Sequence, residues 1–495
     1  MQKKMKIRRV LKTVLFFTLF GVLLMISIRV ISRPHALYWA EETGMDMIHK
    51  YRNEYDVCFA GTSIVIANVS NQELYEKYGI IGVSVGEPVQ PLFLTKYVID
   101  EILKYQNPKV IVIDSRGLFY DEAFIQENII NSEEGIVHYA LDSIRSQGIK
   151  RKALEQIKDQ YSDMDWKAYY SRMYDKHTQW KTLTKANFLG YGDAVCMNGN
   201  VMLTEINTVN SVIGTANEIN PKNVEELLEI RETCEKQGVS VLLMTGYIEE
   251  NPEKLEALNK ICTENRIDHI DINILIEQLG FHGDEHVSDY IHFNVAGACV
   301  WTDYLGEYLL SRYELKPHTG RINAMLDTQS ELFGYFKAHM EKKITLYQAD
   351  YFIDFLETLS ELNLGDDAVL MAVYDDAAYK LDEEGHEALK KLGLDAEISY
   401  QGSYGGVITS DDVQKTADGR ETVIITGQTP IIDYEVRSAG AACEKGADIS
   451  IMVEGKEWAN RRRGFNVVVY DPHLSQPLIS CTFDTYMYAN PKMEL

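Results

Sequence analysis

The apolar residues of this chain form short continuous runs that alternate with stretches of helical spacing. Asp56 to Ala60, Lys109 to Ile113 and Val239 to Met244 are mostly apolar on both faces, which predicts buried parallel strands. Between them, Leu92 to Tyr105 and Val224 to Gln237 repeat apolar residues at the spacing of an amphipathic helix. This alternation predicts an α/β fold, with a parallel sheet wrapped by helices.

Two interruptions divide the pattern. Residues 117–215 break the alternation, and their composition predicts a helical insertion over the edge of the sheet. Near Lys316 to Gly320 a proline and a glycine end the helix expected at Trp301 to Tyr313, which indicates a domain boundary. Beyond it a new alternation predicts a second, smaller α/β or α+β domain. Its expected elements are helices at Asp350 to Leu362 and Glu383 to Leu392, and strands at Ala368 to Val373, Ile431 to Arg437, Ile449 to Val453 and Asn466 to Tyr470.

The N-terminal segment predicts a membrane anchor. Thr13 to Ile28 has sixteen residues without a charge, and Val10, Leu11, Val30 and Ile31 extend the apolar stretch past Lys12 and Arg29, which can snorkel to the headgroups. The extended stretch is about long enough to cross a bilayer. Met1 to Arg33 contains eight Lys or Arg and no acid, and most of them precede the apolar stretch, which predicts a cytoplasmic N-terminus. A cleaved signal peptide is the alternative, but no small-x-small site follows directly. We therefore expect a single-pass cell-membrane protein with a tail and anchor at 1–33 and extracellular domains at 34–316 and 317–495.

Composition and charge limit the kinds of partner and cofactor that the protein is expected to have. The chain has 495 residues, of which 45% are hydrophobic, and this predicts two or three globular units. The part of the chain after residue 33 contains 41 basic and 74 acidic residues. This acidic excess makes nucleic acid an unexpected partner. The seven cysteines are scattered, without a CxxC spacing or nearby histidines, and the sequence predicts no metal site and no cofactor.

Two separate segments carry residues suited to nucleophilic catalysis. Ser63 follows Gly61-Thr62 where the first strand ends, and catalytic groups of open α/β sheets lie at the carboxyl ends of strands. The alternative is a serine that caps a helix. Asp289 and His292 are three residues apart, so the carboxylate can orient the imidazole while the other ring nitrogen accepts a hydroxyl proton. The alternative is a histidine that satisfies a turn.

Four blocks together resemble the SGNH (GDSL-like) hydrolase superfamily. They are the Gly61-Thr62-Ser63 turn, the Gly82-Val83-Ser84-Val85-Gly86 segment, the block Asn107 to Asp114, and the D-x-x-H-F-N-x-x-G-A motif at Asp289 to Ala298. The chain looks most similar to the membrane-anchored branch that includes the teichoic-acid D-alanine transfer protein and polysaccharide O-acetylation proteins of bacterial envelopes. The resemblance covers about residues 50–315 and implies an SGNH-type, flavodoxin-like parallel sheet for them.

This resemblance implies roles for the site residues. Ser63 would be the nucleophile, His292 the general base and then acid, and Asp289 the orienting carboxylate. Gly86 would correspond to the oxyanion glycine, with Gly82 as the alternative. One departure stands out, because the third block of the superfamily usually supplies an asparagine to the oxyanion. Here Asp114-Ser115-Arg116-Gly117 follows the strand, and Arg116 is the candidate replacement.

The C-terminal part resembles the interleukin-like EMT-inducer (pancreatic-derived factor) domain. One half of that domain resembles Val369 to Ala378 and Tyr404 to Ile408, and the other resembles Tyr434 to Gly440 and Arg463 to Asp471 with Phe483-Asp484-Thr485. The halves occur in reverse order, which implies a circular permutation. Related domains are stem modules of a eukaryotic glycosyltransferase, so the resemblance implies carbohydrate binding.

Candidate contacts and one cysteine pair follow from this second resemblance. Trp458 could stack on a sugar ring, and Arg463 ends the run Arg461-Arg462-Arg463, for which a solvated face is the alternative. Cys443 and Cys481 fall within one half of the domain, which leaves a disulfide between them open.

Together these features predict a membrane-tethered serine esterase or O-acyltransferase that acts on a cell-surface polysaccharide or teichoic-acid-like glycan through an acyl-serine. A transferase would need a multispanning partner, because one membrane span cannot carry an acyl group across the bilayer. The alternative is a non-catalytic glycan-binding protein with a degenerate SGNH domain.

Overall fold

The computed structural model describes residues 2–31, 41–131, 136–161, 180–181, 183, 200–203, 219–247, 252–316 and 318–495. The chain divides into two compact units, Met1–Ser330 and Glu331–Leu495. The division lies beyond the boundary that the sequence predicts near residue 317, because the long helix Asn323–Gln348 contains it. Much of the predicted insertion, residues 162–179, 182, 184–199 and 204–215, lies outside the described residues.

The N-terminal helix Gln2–Ile31 contains a stretch, Arg8–Ile28, that is long and apolar enough to span a membrane. No part of its most apolar window is buried within the structure, and side chains such as Phe16 and Phe17 are exposed. An exposed apolar helix needs another apolar environment to cover it. Signal sequences pass the same test of length and composition, so an uncleaved anchor and its orientation remain predictions.

The first unit is built on a five-stranded parallel sheet with the order β2-β1-β3-β4-β5. Every neighbouring pair of these strands is parallel, which confirms the predicted α/β class. The strands are β1 Val57–Gly61, β2 Gly82–Gly86, β3 Val110–Asp114, β4 Ser240–Thr245 and β5 Asp268–Asp271.

Helices flank the sheet, and the two apolar clusters of this unit lie on opposite faces of it. Side chains of β1 alternate between the clusters, since Cys58 and Ala60 belong to one and Val57 and Phe59 to the other. This explains why the strand sequences are continuously apolar. The helices of this unit are Glu41–Lys50, Ile64–Ala67, Asn71–Tyr78, Leu92–Tyr105, Glu122–Ile125, Ile136–Ser143, Gln147–Gln160, Pro221–Glu235, Pro252–Asn265, Ile276–Leu279, Gly283–His286 and Val295–Arg312.

The second unit contains two antiparallel sheets, so of the two predicted alternatives it is α+β. One sheet has the order β14-β13-β6-β7-β8 and the other β12-β11-β10-β9. The strands are β6 Ala368–Tyr374, β7 Ser403–Ile408, β8 Val413–Asp418, β9 Val423–Gln428, β10 Asp433–Ala439, β11 Asp448–Val453, β12 Lys456–Glu457, β13 Gly464–Asp471 and β14 Gln476–Phe483.

The five-stranded sheet is covered on both faces. Side chains of β6 alternate, with Leu370 packed toward the four-stranded sheet and Met371 toward the helices Phe352–Glu361 and Glu383–Lys391. Phe352 and Phe355 from the first of these helices are fully buried against this sheet. Complete burial of such side chains contributes about 1.5–3 kcal/mol each to folding.

Five cysteines of the described residues carry free thiols: Cys58, Cys234, Cys262, Cys443 and Cys481. Cys443 and Cys481 are both buried and unbonded, so the bridge left open by the sequence does not form in this structure. Cys443 instead places its sulfur 3.2 Å from Ser403 Oγ. Burial raises the pKa of the Cys234 thiol to about 12 and that of Cys262 to about 11, which keeps both protonated at neutral pH. Cys196 lies outside the described residues.

Candidate active site

Ser63 lies at the carboxyl end of β1, where the chain turns into a one-turn helix. Gly61, the last residue of β1, has a φ of +154° that favours glycine, and a Cβ there would lie 2.7 Å from Asp114 Cβ. Ser63 occupies the N-cap position of helix Ile64–Ala67, but its side chain makes no capping hydrogen bond. The hydroxyl is therefore available for another partner.

That partner is His292. Ser63 Oγ lies 2.7 Å from His292 Nε2, and His292 Nδ1 lies 2.8 Å from Asp289 Oδ2. Because an ionised carboxylate can only accept, Nδ1 carries the proton donated to Asp289, and the lone pair of Nε2 accepts the Ser63 hydroxyl. The three predicted catalytic residues thus form one continuous hydrogen-bonded chain with the geometry of a nucleophile, a base and an orienting acid.

Asp289 is held in its ionised form. Burial opposes ionisation, but the hydrogen bond from His292, its charge and two backbone donors outweigh it, so the pKa of Asp289 lies below its ordinary value. The backbone N–H groups of Ile291 and His292 donate to Asp289 Oδ1 at 2.9 and 2.8 Å. One carboxylate oxygen therefore shapes the loop while the other holds the imidazole.

Asn294 and Gly297 of the D-x-x-H-F-N-x-x-G-A motif have structural roles. Asn294 caps helix Val295–Arg312, because its Oδ1 accepts the backbone N–H of Gly297 at 3.1 Å and its Nδ2 donates to the Glu285 carbonyl. A Cβ at Gly297 would lie 2.1 Å from the His286 carbonyl oxygen, so only glycine fits this approach. The motif thus anchors the loop that contains Asp289 and His292 to the start of a long helix.

The two candidate oxyanion glycines lie at opposite ends of β2. Gly86 pairs with Gly61 at the carboxyl end, whereas Gly82 pairs with Val57 at the amino end, away from Ser63. A Cβ at Gly86 would lie 2.4 Å from the Thr62 carbonyl oxygen, so a side chain there would displace the turn that carries Ser63. Of the two glycines, only Gly86 lies near the triad.

Asp114 ends β3 beside the Ser63 turn, and sequence reasoning gave it no role. Its carboxylate accepts hydrogen bonds from the hydroxyl and the backbone N–H of Thr62, and from the backbone N–H of Arg116 at 3.1 Å. Burial raises the pKa of Asp114, although these donors and the Arg116 charge partly offset the effect. The one feature of the sequence that could have indicated a role for Asp114 is its position at the end of a buried strand, which pairs with β1 in the structure.

Arg116 is buried in the 3₁₀ turn Ser115–Phe119 that follows β3. Its Nη1 has no hydrogen-bond partner among the described residues, which is uncommon for a buried guanidinium. The guanidinium interacts with the Tyr120 hydroxyl and with the Asp114 charge. Arg116 therefore lies at the same edge of the sheet as Ser63, and its Nη1 can donate a hydrogen bond to a further acceptor.

In the second unit, the predicted sugar contacts Trp458 and Arg463 have different surroundings. Trp458 is half-buried, and its ring packs against the core between the two sheets, 6.2 Å from the Tyr470 ring. Arg463 donates to both carboxylate oxygens of Asp484, and its Cζ lies 4.4 Å above the Tyr486 ring. The run that Arg463 ends is neutralised throughout, because Arg461 and Arg462 each pair with a glutamate.

A cluster of three tyrosines lies beside Arg463, which contacts one of them, Tyr486, and sequence reasoning missed this cluster. The Tyr379 ring lies 5.0 Å from Tyr486 and 6.0 Å from Tyr400, and Tyr379 and Tyr400 are each more than half exposed. Nearby Asp376, whose charge acts on Tyr400, is buried with Oδ2 unpartnered among the described residues. Exposed aromatic faces beside polar acceptors are the features that sugar rings contact.

No protein-family model matches the chain, and no curated protein sequence was found to be similar to it.

Proposed function

We propose that this chain is an extracytoplasmic, membrane-tethered serine acyl-esterase or O-acyltransferase that acts on a cell-surface glycan. The observation that carries the proposal is the chain of hydrogen bonds from Ser63 through His292 to Asp289, at 2.7 and 2.8 Å. The position of Ser63 at the carboxyl end of a parallel sheet adds support, as does the resemblance of the four sequence blocks to SGNH hydrolases.

The chemistry proceeds through an acyl-serine. Ser63 Oγ attacks the acyl carbonyl carbon while its proton passes to His292 Nε2, and the Asp289 carboxylate stabilises the resulting imidazolium. The bond from the acyl carbon to the leaving oxygen then breaks, and His292 returns the proton to that oxygen. In a second round His292 Nε2 takes a proton from water or from a sugar hydroxyl, whose oxygen attacks the acyl carbon. The bond from that carbon to Ser63 Oγ then breaks and His292 returns the proton to Oγ, which completes hydrolysis with water and transfer with the sugar.

The oxyanion of the tetrahedral intermediate needs hydrogen-bond donors. We assign this role to the Gly86 region and to Arg116, whose buried Nη1 has no partner among the described residues. One such donor contributes about 10²–10³ in rate. Arg116 would thereby supply what the asparagine of the third SGNH block supplies elsewhere.

A glycan-binding role of the second unit is a separate part of the proposal, and without catalysis it is the second candidate function. The tyrosine cluster beside Arg463 favours it, since sugars dock on exposed aromatic rings. Binding of acetylated and deacetylated polysaccharides should weaken at least ten-fold in Tyr486→Ala. The matched control is Tyr351→Ala, because Tyr351 is an exposed tyrosine that contacts none of the cluster rings. Equal binding by both variants would refute this location.

The catalytic proposal is tested by labelling the full-length protein in detergent with a fluorophosphonate. A covalent adduct is expected on the wild type and on Ser311→Ala, which changes a serine whose hydroxyl bonds only its own helix. No adduct is expected on Ser63→Ala. A wild type without an adduct would favour the binding function alone. Acetate release from acetylated glycan without any partner protein would then favour hydrolysis over transfer through a multispanning partner.

A further inference from the structure

Asn68 links the segment that carries the nucleophile to the loop that carries the base. It ends helix Ile64–Ala67, five residues after Ser63, and its side chain is fully buried. Its Nδ2 donates to the Ile291 carbonyl at 3.1 Å, and its Oδ1 accepts the backbone N–H of Phe293 at 3.1 Å. The Asn68 amide is therefore hydrogen-bonded to the backbone on both sides of His292.

The rest of the loop is fixed by contacts of its own. The His292 N–H donates to Asp289, and the His292 carbonyl accepts the backbone N–H of Ser288 at 2.8 Å. These bonds give the loop its shape, but they do not set its distance from Ser63. The two Asn68 bonds do, because they join the loop to the helix that begins directly after the serine.

The position is tightly packed, which limits what else can occupy it. A Cβ at Gly246 would lie 2.8 Å from Ile64 Cγ2 and 3.3 Å from Asn68 Nδ2, so glycine at the end of β4 leaves room for the amide. Ile291 and Phe293 are buried in the same apolar cluster as Ile64. Apolar packing can therefore retain the loop without Asn68, whereas the orientation of the imidazole depends on the directional bonds.

We propose that Asn68 is a positioning residue that holds His292 within hydrogen-bond reach of Ser63. The inference rests on the proposed serine chemistry, since a positioned base has a consequence only if Ser63 reacts. Asn68 touches neither substrate nor reacting atoms and acts through His292. A displacement of about 1 Å in such a group can lower the rate about 10²-fold.

The test is the pH dependence of Ser63 labelling by a fluorophosphonate in the full-length protein. In the wild type the rate should rise with pH and level off once His292 is neutral. Asn68→Ala should label about 10- to 100-fold more slowly at neutral pH. Its rate should also keep rising at high pH, because hydroxide takes over from a misplaced base. Asn68→Ser, which keeps a polar side chain, serves as the second variant if the alanine protein does not fold.

Asn71→Ala is the matched control. Asn71 is also buried and lies three residues away, but its amide bonds Ser84 and not the catalytic loop. Its pH profile should keep the wild-type shape even if its melting temperature falls. A folded Asn68 variant with the wild-type rate and plateau would refute the inference, and so would a profile that is lowered without a change of shape. A wild type that does not label would instead refute the proposed function.

Discussion

His292 Nε2 lies 2.7 Å from Ser63 Oγ, although 229 residues separate the two in the chain. The contact exists because β1 and helix Val295–Arg312 bring their ends to the same edge of the parallel sheet. A hydroxyl and an imidazole at this distance can exchange a proton directly. His292→Ala should therefore reduce fluorophosphonate labelling and esterase turnover by at least 10³-fold while the melting temperature changes little. His282→Ala, on a neighbouring segment, is the control that should retain activity.

Replacement of Asp289 tests the orientation of the imidazole. Asp289→Asn should lower turnover by as much as about 10⁴-fold, the cost of the same change in a well-studied serine triad, because the amide favours the wrong tautomer of His292. Binding of glycan to the second unit should be unaffected. Near-normal turnover would mean that another group orients the imidazole.

The pH dependence of activity has a predicted sign. Activity should rise with pH, since only a neutral imidazole can accept the proton of Ser63. Asp289 should contribute little to this rise in the neutral range, because its pKa lies below its ordinary value. The measurement is turnover from pH 5 to pH 9. A rate that falls with rising pH in the neutral range would contradict the base role.

Thr62→Val should lower the free energy of unfolding, because the buried Asp114 carboxylate loses a hydrogen-bond donor. The change removes the hydroxyl donor, which leaves a buried acceptor less satisfied and lowers the free energy of unfolding by about 1–3 kcal/mol. It also raises the pKa of Asp114 further. A folded-state pKa above the unfolded value means that stability is lost as pH rises from the unfolded pKa to the folded one. The deficit relative to wild type, measured by urea denaturation, should therefore grow with pH across that range.

The free thiols make a prediction for mass spectrometry. Reduction under denaturing conditions should not change the alkylation of Cys443 or Cys481, because both are unbonded. In the folded protein Cys481 should react slowly, since it is fully buried and burial raises the pKa of its thiol. A gain of two alkylated thiols after reduction would show a bridge instead.

The sequence predicted the strands whose residues are apolar on both faces, because burial on two sides leaves no polar positions to obscure the pattern. It missed β5, in which three of the four residues Asp268–Asp271 are polar, and β8, where Lys415 and Asp418 interrupt the apolar pattern. Strands β7, β9 and β14 were not predicted either. These elements are specified by pairing with neighbours rather than by their own composition.

The same limit applies to the candidate site. Ser63, Asp289 and His292 could be proposed because a short motif and a strand end mark them. Asn68 and Asp114 could not, because their roles depend on backbone groups that approach only in the folded chain. The tyrosine cluster was missed for the same reason, since Tyr379, Tyr400 and Tyr486 lie in three separate loops.

The ion pair between Arg463 and Asp484 has a consequence for ionic strength. Because the guanidinium already has a carboxylate bound through two nitrogens, the pair offers an incoming polymer almost no net charge. Added salt screens attraction between unlike charges, and it has little to screen where the charge is already compensated. A glycan held beside Tyr486 would thus bind through ring stacking and hydrogen bonds, with an affinity that changes little between dilute buffer and seawater.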